Sequence, residues 1–345
     1  MTAQANSQQP VDRLLHLGNV VVDLVLNVPE LPERGGDVLA AASRATPGGG
    51  FNVMAAAARQ GLHVAYAGAY GSGPFAALAR SGLAQEGIDL LQQPKAGLDT
   101  GVVISIVDDG GERTFVTAPG AEASLTAGDL AAVQARAGDA VYLSGYGLAH
   151  ASNRPALVGW LEHLSDSNLV IFDPGPLAEQ IPAAALDAVI HRADWLTCNA
   201  REAGLLTGHA DPVAAARALA VRRSGVSAGR AGAGRATASG ATAGRASVRR
   251  ASVGGIVVRT GPDGCLLAHE GGEPVRVPGF PVAATDTNGA GDTHTGTFVA
   301  ALARGIGETE AARLANAAAA WSVTKPGPAT APTATELARF LARGS

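Results

Sequence analysis

The sequence predicts an α/β fold in which a mainly parallel central sheet is flanked by helices. Between residues 63 and 219, short apolar segments alternate with longer segments of helical periodicity. This alternation is typical of parallel sheets with helices on both faces. Ala and Gly dominate the composition, and aromatic residues make up only 4% of the 345 residues. Such small side chains suit helices that pack closely on a sheet, in one large domain with an appendage or in two small domains.

Composition and charge exclude several classes of protein. The formal net charge of -4 gives no general case for nucleic-acid binding. The two cysteines, Cys198 and Cys265, do not make a disulfide framework and predict a reducing, cytoplasmic location. No apolar segment reaches the roughly 20 residues of a membrane span. Residues 1–10 are polar and lack the apolar core of a signal peptide, so we expect a disordered tail there.

The first predicted strand covers residues 13–26, which are rich in Val and Leu, as expected of a buried parallel strand. It contains Asp23, and burying a bare carboxylate is costly. Asp23 therefore either caps a turn at the end of the strand or accepts hydrogen bonds from the hydroxyl groups of a substrate. The residues alone leave both interpretations open.

A glycine-rich loop at residues 47–52 precedes a predicted helix at 53–61. Asn52, at the end of this loop, is of a type that caps helix N-termini. Further along, two β-rich segments at 102–107 and 113–117 enclose an Asp-Gly turn, which indicates a hairpin.

The alternating region contains further strands and helices. Strands are predicted at 64–69, 140–144, 169–172 and 195–198, and helices at 75–86, 127–136, 154–164, 183–191 and 201–206. Gly145 and Tyr146 follow the second of these strands, and residues 173–176 follow the third. Because ligands bind at the carboxyl ends of strands in open α/β sheets, both loops should border a site.

Asn199 and Glu202 follow the next strand, at the start of a helix. Their spacing suits a capping box, in which Asn199 caps the helix and Glu202 reaches back to it. It also suits two oxygen-bearing side chains that organise Mg²⁺ and its waters. After them, a strand, a Pro-Asp-Gly turn and a second strand are predicted over residues 255–267, and helices over 293–303 and 308–323.

Residues 222–252 interrupt this rhythm, because they consist only of Ala, Gly, Ser, Thr, Val and Arg. Without large apolar side chains, the segment cannot offset the entropy lost on ordering. A basic segment can touch nucleic acid or anionic surfaces. We expect instead a disordered, solvated insertion.

The loop at residues 285–292 opens the helix that follows it. Gly289 and Gly291 lack Cβ atoms, so backbone N–H groups there can approach a ligand closely. The first N–H groups of a helix favour anions, most naturally phosphate. Asp292 either caps this helix or accepts a proton from a hydroxyl group that attacks phosphorus.

Residues 286–292 resemble the complete signature of the ribokinase (PfkB) family of carbohydrate and nucleoside kinases. The resemblance implies one ribokinase-like domain over residues 11–345, with a small β-sheet lid built from about residues 28–46 and 99–118. It also implies that the backbone N–H groups of Gly289, Ala290 and Gly291 form an anion hole and that Asp292 is the catalytic base.

The resemblance further implies roles for residues elsewhere in the chain. The sugar would be contacted by Asp23, Gly49, Gly50 and Asn52. The nucleotide would be bound by Asn199, Thr260, Gly261 and Asn316, of which Asn316 either faces the base or is simply a polar helix position. Asn199 and Glu202 would hold Mg²⁺ through water, and Asp286 and Asn288 would hold K⁺ beside the anion hole, which predicts stimulation by K⁺.

By this resemblance, the chain is expected to be an ATP-dependent kinase that phosphorylates a hydroxyl group of a small sugar or nucleoside. Ribose, fructose, a nucleoside and a sugar acid all stay open as substrates, and so does a homodimer through the lid. One rival is a catalytically weak sugar- or nucleotide-binding regulator, which has no need of a base at Asp292. The other is a dinucleotide-dependent dehydrogenase, which needs a Gly-x-Gly-x-x-Gly motif that residues 18–20 do not supply.

Overall fold

The computed structural model describes residues 11–225 and 254–343. The tail predicted at residues 1–10 and most of the predicted insertion lie outside these ranges. Within them, strands and helices alternate and the strands form two separate sheets. In chain order the described strands are β1 (Arg13–His16), β2 (Val20–Asn27), β3 (Ala42–Gly49), β4 (His63–Tyr66), β5 (Asp89–Leu90), β6 (Val102–Val107), β7 (Arg113–Ala118), β8 (Asp139–Ser144), β9 (Leu169–Asp173), β10 (Trp195–Asn199), β11 (Gly255–Arg259), β12 (Gly264–Ala268) and β13 (Val275–Pro278).

The large sheet has the strand order β13-β12-β11-β10-β9-β8-β1-β4-β5. All pairings from β11 to β5 are parallel, whereas β12 and β13 extend the sheet in antiparallel orientation. The carboxyl ends of the parallel strands therefore meet at one edge of the sheet. The predicted fold class, a mainly parallel sheet with flanking helices, is confirmed.

Helices cover both faces of this sheet. The described α-helices are α1 (Gly50–Arg59), α2 (Pro74–Gln85), α3 (Ala127–Ala131), α4 (Gly145–Ala149), α5 (Asn153–Glu162), α6 (Ala183–Arg192), α7 (Ala200–Thr207), α8 (Pro212–Ser224), α9 (Ala290–Ala303), α10 (Glu308–Ser322) and α11 (Ala334–Arg343). Leu15 belongs to a buried cluster with α5, α6 and α8, and its neighbour Leu14 to a cluster with α1, α9 and α10. Successive strand side chains point to opposite faces, so the two clusters are the two cores of a three-layer fold. None of the described helices is both long and apolar enough to cross a membrane.

The small sheet has the order β3-β2-β6-β7. Strands β6 and β7 form the predicted hairpin, with Val102 opposite Ala118. The segments predicted to build a lid, 28–46 and 99–118, contribute this hairpin and most of β3. Strand β2 completes the sheet, pairing with β3 in antiparallel and β6 in parallel orientation.

The single strand predicted over residues 13–26 is wrong, because this segment contains two strands in different sheets. Strand β1 ends at His16, between β4 and β8, and Gly18 and Asn19 carry the chain into β2 of the small sheet. Asp23 lies in the interior of β2, opposite Thr46, so its interpretation as a cap at a strand end is also wrong. Both strands bury apolar side chains, which explains why composition did not separate them.

Two predicted boundaries also differ from the structure. The insertion was predicted to begin at residue 222, but α8 continues to Ser224 and ends at Gly225, whose φ of 75° suits a helix C-cap. Within α8, the Arg222 guanidinium donates a hydrogen bond of 2.8 Å to the carboxylate of Asp187 on α6. The helix predicted at 127–136 ends at Ala131.

Candidate active site

The N-terminus of α9 is built by a glycine that no other residue could replace without strain. Gly289 is the N-cap and has φ of 73°, in the left-handed region that favours glycine. A Cβ atom there would also collide with the carbonyl oxygen of Pro328. The first helical bond runs from the N–H of Thr293 to the oxygen of Gly289 at 2.8 Å, which leaves the preceding N–H groups outside the helical ladder. Of these, the N–H of Ala290 makes a longer bond of 3.3 Å to the oxygen of Thr287.

Asp292 and Asn52, which lie 240 residues apart, meet at this helix end. The Asn52 side-chain N–H donates to the Asp292 carboxylate at 3.0 Å. The interpretation of Asp292 as a helix cap is wrong, because the N-cap is Gly289 and no side chain makes a cap hydrogen bond at this helix. The interpretation of Asn52 as a helix cap is also wrong, because α1 begins at Gly50 and Asn52 is buried inside its first turn.

The surroundings of Asp292 favour its protonated form more than water does. The pKa of Asp292 is raised to about 7, mainly by desolvation, and the carboxylates of Asp173 and Asp23 contribute to the rise. The hydrogen bond from Asn52 and the positive charge of Arg259 act in the opposite direction. A carboxylate with a pKa close to neutrality is well suited to accept a proton under physiological conditions.

Arg259 is a site residue that the sequence analysis missed. At the end of β11, its guanidinium donates to Asp173 at 3.1 Å, to Thr295 at 3.1 Å and to the Thr197 hydroxyl. It also lies 3.7 Å from the Glu202 carboxylate. An added Cβ on Gly291 would stand 3.3 Å from its Nε, so the cation lies directly beside the anion-hole loop. The sequence did contain a signal for Arg259, because this charged residue directly follows the buried apolar residues of β11.

The loops that follow β8 and β9 border the same region, as predicted. Asp173, at the end of β9, is the carboxylate that Arg259 contacts. Tyr146, at the start of α4, is 39% exposed. The pKa of the Tyr146 hydroxyl is raised to about 12, mainly by burial, with smaller contributions from the carboxylates of Asp292, Asp173, Glu202 and Asp23. The Tyr146 ring lies beside Gly175, in the loop that follows β9, so the two loops meet.

An open groove of about 410 Å³ lies beside Arg259. Thr260 and Gly261, the predicted nucleotide contacts, line it together with Asn199. Three arginines also line the groove, namely Arg201, Arg259 and Arg276. Such clustered guanidinium groups attract phosphate. Since Arg259 also neighbours Gly291, it connects the groove to the N-terminus of α9.

Asn199 and Glu202 form the capping box that was one of the two interpretations of their spacing. The N–H of Glu202 donates to the Asn199 side-chain oxygen at 2.8 Å, and the N–H of Asn199 donates to the Glu202 carboxylate at 2.9 Å. Burial raises the pKa of Glu202, and the Asp173 carboxylate adds to this effect. In residues 11–225 and 254–343, no group of three or more His, Cys, Asp or Glu residues could hold a metal ion. One side-chain oxygen of each of these two residues is thus already bonded to a backbone N–H group.

Asn316 does not face the groove. It is 4% exposed within α10, and its side-chain N–H groups donate to the carbonyl oxygens of Val277 and Pro278 at 3.0 and 3.1 Å. The prediction that Asn316 faces the nucleotide base is therefore wrong. It is a polar helix position whose amide holds β13 against α10.

Asp286 does not offer a free carboxylate to K⁺. One of its oxygens accepts hydrogen bonds from the Arg113 guanidinium at 2.6 Å and from the N–H of Asn288 at 2.9 Å. The other oxygen accepts the N–H of Gly327 at 3.0 Å. The predicted K⁺ site at Asp286 and Asn288 thus does not fit this donor set, because a cationic side chain already contacts the carboxylate.

The predicted sugar-binding residues lie where the small sheet meets α1. The Asp23 carboxylate lies over Gly48, where a Cβ atom would collide with it, and desolvation raises the pKa of Asp23 to about 6. Gly49 is the N-cap of α1 with φ of 61°. A Cβ on Gly50 would collide with the His16 ring. Gly48 therefore allows close packing against Asp23, and Gly49, Gly50 and Asn52 follow it directly in the chain, so all four predicted residues lie in one neighbourhood.

The chain is similar to known sugar kinases over most of its length. A family model described as "pfkB family carbohydrate kinase" matches residues 11–335. An uncharacterised sugar kinase of Escherichia coli, YegV, is 31% identical over 322 residues, which cover 93% of this chain and 91% of that protein. The ribokinase of Haemophilus influenzae is 28% identical over 331 residues, covering 94% of this chain and 97% of that protein.

Solved structures give the same answer for the fold. Ribokinase from Giardia lamblia superimposes with a TM-score of 0.76 at 20% identity and covers 97% of this chain and 100% of that one. Ribokinase from Thermotoga maritima gives a TM-score of 0.73 at 23% identity, covering 95% of this chain and 99% of that one. At these identities, the similarity establishes the ribokinase-like architecture.

Proposed function

The chain belongs to the pfkB family of carbohydrate kinases, so it is a phosphotransferase with an alcohol group as acceptor, and we propose that it transfers the γ-phosphoryl group of ATP to a small sugar or nucleoside. The observation that carries this proposal is the meeting of Asp292 with Asn52 at the N-terminus of α9. A proton acceptor and an anion-binding helix end are the two parts that phosphoryl transfer to a hydroxyl group needs.

In the proposed reaction, Asp292 takes the proton of the substrate hydroxyl group as its oxygen attacks the γ-phosphorus. The new oxygen–phosphorus bond forms while the bond to ADP breaks. The backbone N–H groups of Gly289, Ala290 and Gly291, at the positive end of α9, receive the charge that develops on the phosphoryl oxygens. Arg259, beside Gly291, adds a positive charge that no proton loss can remove. Asn52 holds the Asp292 carboxylate in position.

The groove beside Arg259 is the proposed site for ATP, with Thr260 and Gly261 near its phosphates or ribose. Mg²⁺ would be held by the phosphates and by water that Asn199 and Glu202 position, and it would offset the phosphate charge. Asp23, Gly49, Gly50 and Asn52 are proposed to bind the acceptor sugar. Ribose, fructose, a nucleoside and a sugar acid remain the candidate acceptors. Residues 47–52 contain no Lys whose positive charge could bind a phosphate group of the acceptor, which favours an unphosphorylated one.

A panel assay tests this proposal. Purified protein with ATP and Mg²⁺ is incubated with sugars, nucleosides and sugar acids, and both ADP release and the phosphorylated product are measured. We expect turnover with at least one class of acceptor. Acceptor binding by calorimetry without turnover on any of them would favour the alternative, a weakly active regulator on the same fold.

We expect Asp23→Asn to raise the KM for the acceptor by about tenfold or more with little change in kcat. The Asp23 carboxylate is proposed to bind the acceptor before reaction, and a hydrogen bond to a charged group contributes about 1.5–3 kcal/mol. Steady-state kinetics over a range of acceptor concentrations measures this effect. Asp166→Asn, which removes the same charge at an exposed position outside the small sheet, is the control. A fall in kcat at constant KM would contradict the proposed role of Asp23.

We expect kcat/KM to depend on pH through Asp292. A general base acts only when it is deprotonated, so activity should fall about tenfold per pH unit below the pKa of about 7 and level off above it. Asp23 becomes protonated below about 6, which should steepen this fall. In the Asp292→Asn variant, the residual kcat/KM should not fall as the pH drops through 7. A flat wild-type profile between about pH 5.5 and 8 would contradict a general base whose pKa is near 7.

Two further features belong to the proposal. Phe115 and Val116 of β7 are more than half exposed, which supports a homodimer through the small sheet. Light scattering in solution measures the mass of the particle and so distinguishes a dimer from a monomer.

Both cysteines are buried and free, which supports a reducing cytoplasmic setting.

A further inference from the structure

We propose that the guanidinium of Arg113 takes the place of a monovalent cation beside Asp286, so that catalysis proceeds without K⁺. This inference rests on the proposed kinase function. It goes beyond that function by assigning a residue of the small sheet to the loop that carries the anion hole.

The contacts of the Asp286 carboxylate carry the argument. Its described partners are all N–H donors, namely the Arg113 guanidinium at 2.6 Å and the backbone N–H groups of Asn288 and Gly327. A K⁺ ion would have to bind a carboxylate whose two oxygens both already accept N–H donors, and at either oxygen it would meet the positive charge of Arg113 on the same carboxylate. Arg113 and Asp286 are also largely enclosed, with side chains 32% and 16% exposed, so water screens this repulsion less than it would at the surface.

Asp286 is also the point where two loops of the proposed site are joined. Its backbone N–H donates to the oxygen of Val323 at 3.1 Å, and its carboxylate binds the N–H of Gly327 at 3.0 Å. The next residue, Pro328, packs its carbonyl oxygen against Gly289. A positive charge at Asp286 therefore stabilises the segment that holds the N-cap of α9 in place.

Without a cation, the negative charge of Asp286 would have no positive partner near the proposed phosphate site. Desolvation acts to raise its pKa, but the hydrogen bonds from Arg113, Asn288 and Gly327 outweigh this and hold the pKa below its usual value. Asp286 is thus ionised at neutral pH and needs a counter-charge. Arg113 supplies one that is permanent. Because Arg113 lies on β7, this charge reaches the loop only when the small sheet is in its described position.

The first test compares K⁺ with choline at equal ionic strength. We expect the wild-type rate to be the same in both buffers. We expect the rate of Arg113→Ala in choline to be about ten- to hundredfold lower than that of the wild type. This change corresponds to the loss of one hydrogen bond to a charged group. Added K⁺ should restore much of this loss, because Asp286 is then free to bind it. Arg113→Lys should need less K⁺ than Arg113→Ala.

The second readout is thermal stability, which does not depend on kinase activity. K⁺ should leave the Tm of the wild type unchanged and raise that of Arg113→Ala, since an ion that binds only the folded state stabilises it. Arg313→Ala is the matched control, because it removes an arginine from an exposed ion pair with Glu310. It should show no response to K⁺ in either measurement.

Three outcomes would overturn the proposal. One is stimulation of the wild type by K⁺, which needs no variant to be observed. The second is an Arg113→Ala variant that keeps full activity and stability in choline. The third is an Arg113→Ala loss that K⁺ does not restore, which would leave Arg113 as a structural contact. If the panel assay finds no kinase activity, the Tm measurements still decide the cation question separately.

Discussion

Replacing Asp292 by Asn is expected to lower kcat by about 10²–10⁴-fold, the contribution of a general base, while the KM for ATP changes little. Asn has the same shape and can still accept the hydrogen bond from Asn52, but it cannot take a proton. The variant also removes a negative charge near the phosphates, so ATP binding should hold or tighten. Steady-state kinetics with ATP and the acceptor identified by the panel assay measures both parameters.

The same variant should be at least as stable as the wild type at pH 8. Because the pKa of Asp292 is raised to about 7, its favourable contribution to stability is present at low pH and is lost as the pH rises toward 7. At pH 8 the carboxylate is ionised against the preference of its surroundings, and the neutral amide removes that penalty. Thermal unfolding at pH 5 and pH 8 should therefore show the larger gain at pH 8.

Asp129 offers a matched control for these two measurements. Like Asp292, it is the third residue of its helix, but it forms a true capping box with Thr126 and an ion pair with Lys95. Asp129→Asn should lower the Tm and leave kcat unchanged. If Asp292→Asn behaved like this control, Asp292 would be a structural residue and the assignment of its loop as catalytic centre would fail.

Gly289→Ala is expected to lower kcat by at least about 10²-fold, the effect of losing one donor from an oxyanion hole. The residue has φ of 73°, and a Cβ atom would collide with the oxygen of Pro328. Relief of this collision must move the first turn of α9, and with it the N–H groups of Ala290 and Gly291. Single-turnover kinetics separates this loss from any change in ATP affinity.

Gly305→Ala separates the collision from backbone strain. Gly305 follows the same helix with φ of 75°, but a Cβ atom there meets nothing within 4 Å. It should lower stability by about 1–2 kcal/mol through its left-handed backbone alone, with kcat unchanged. Gly289→Ala should lower the Tm further. Equal losses of Tm in both variants, with activity retained in Gly289→Ala, would show that the loop has no catalytic role.

Several local features could be predicted from the sequence because they depend on neighbouring residues. The helix that follows the loop at residues 285–292, the Asn199–Glu202 capping box and the hairpin of β6 and β7 all follow from short spacings, although the helix begins at Ala290 and not at residue 293 as predicted. The alternation of apolar strands and helices was enough to predict the parallel sheet. The signature at residues 286–292 was specific enough to identify the family without any contact information.

Other features were decided only by contacts between distant parts of the chain. The sequence alone determined the fold class, the family and the candidate base, since each is recorded in local spacing and pattern. Tertiary structure alone decided that Asn52 holds Asp292, that Arg259 lies beside Gly291 and that Arg113 neutralises Asp286. It also decided that Asn316 faces inward and that β2 belongs to the small sheet and not to the large one. A charged side chain takes its partner from whatever the folded chain brings within a few ångströms, and no local spacing contains that information.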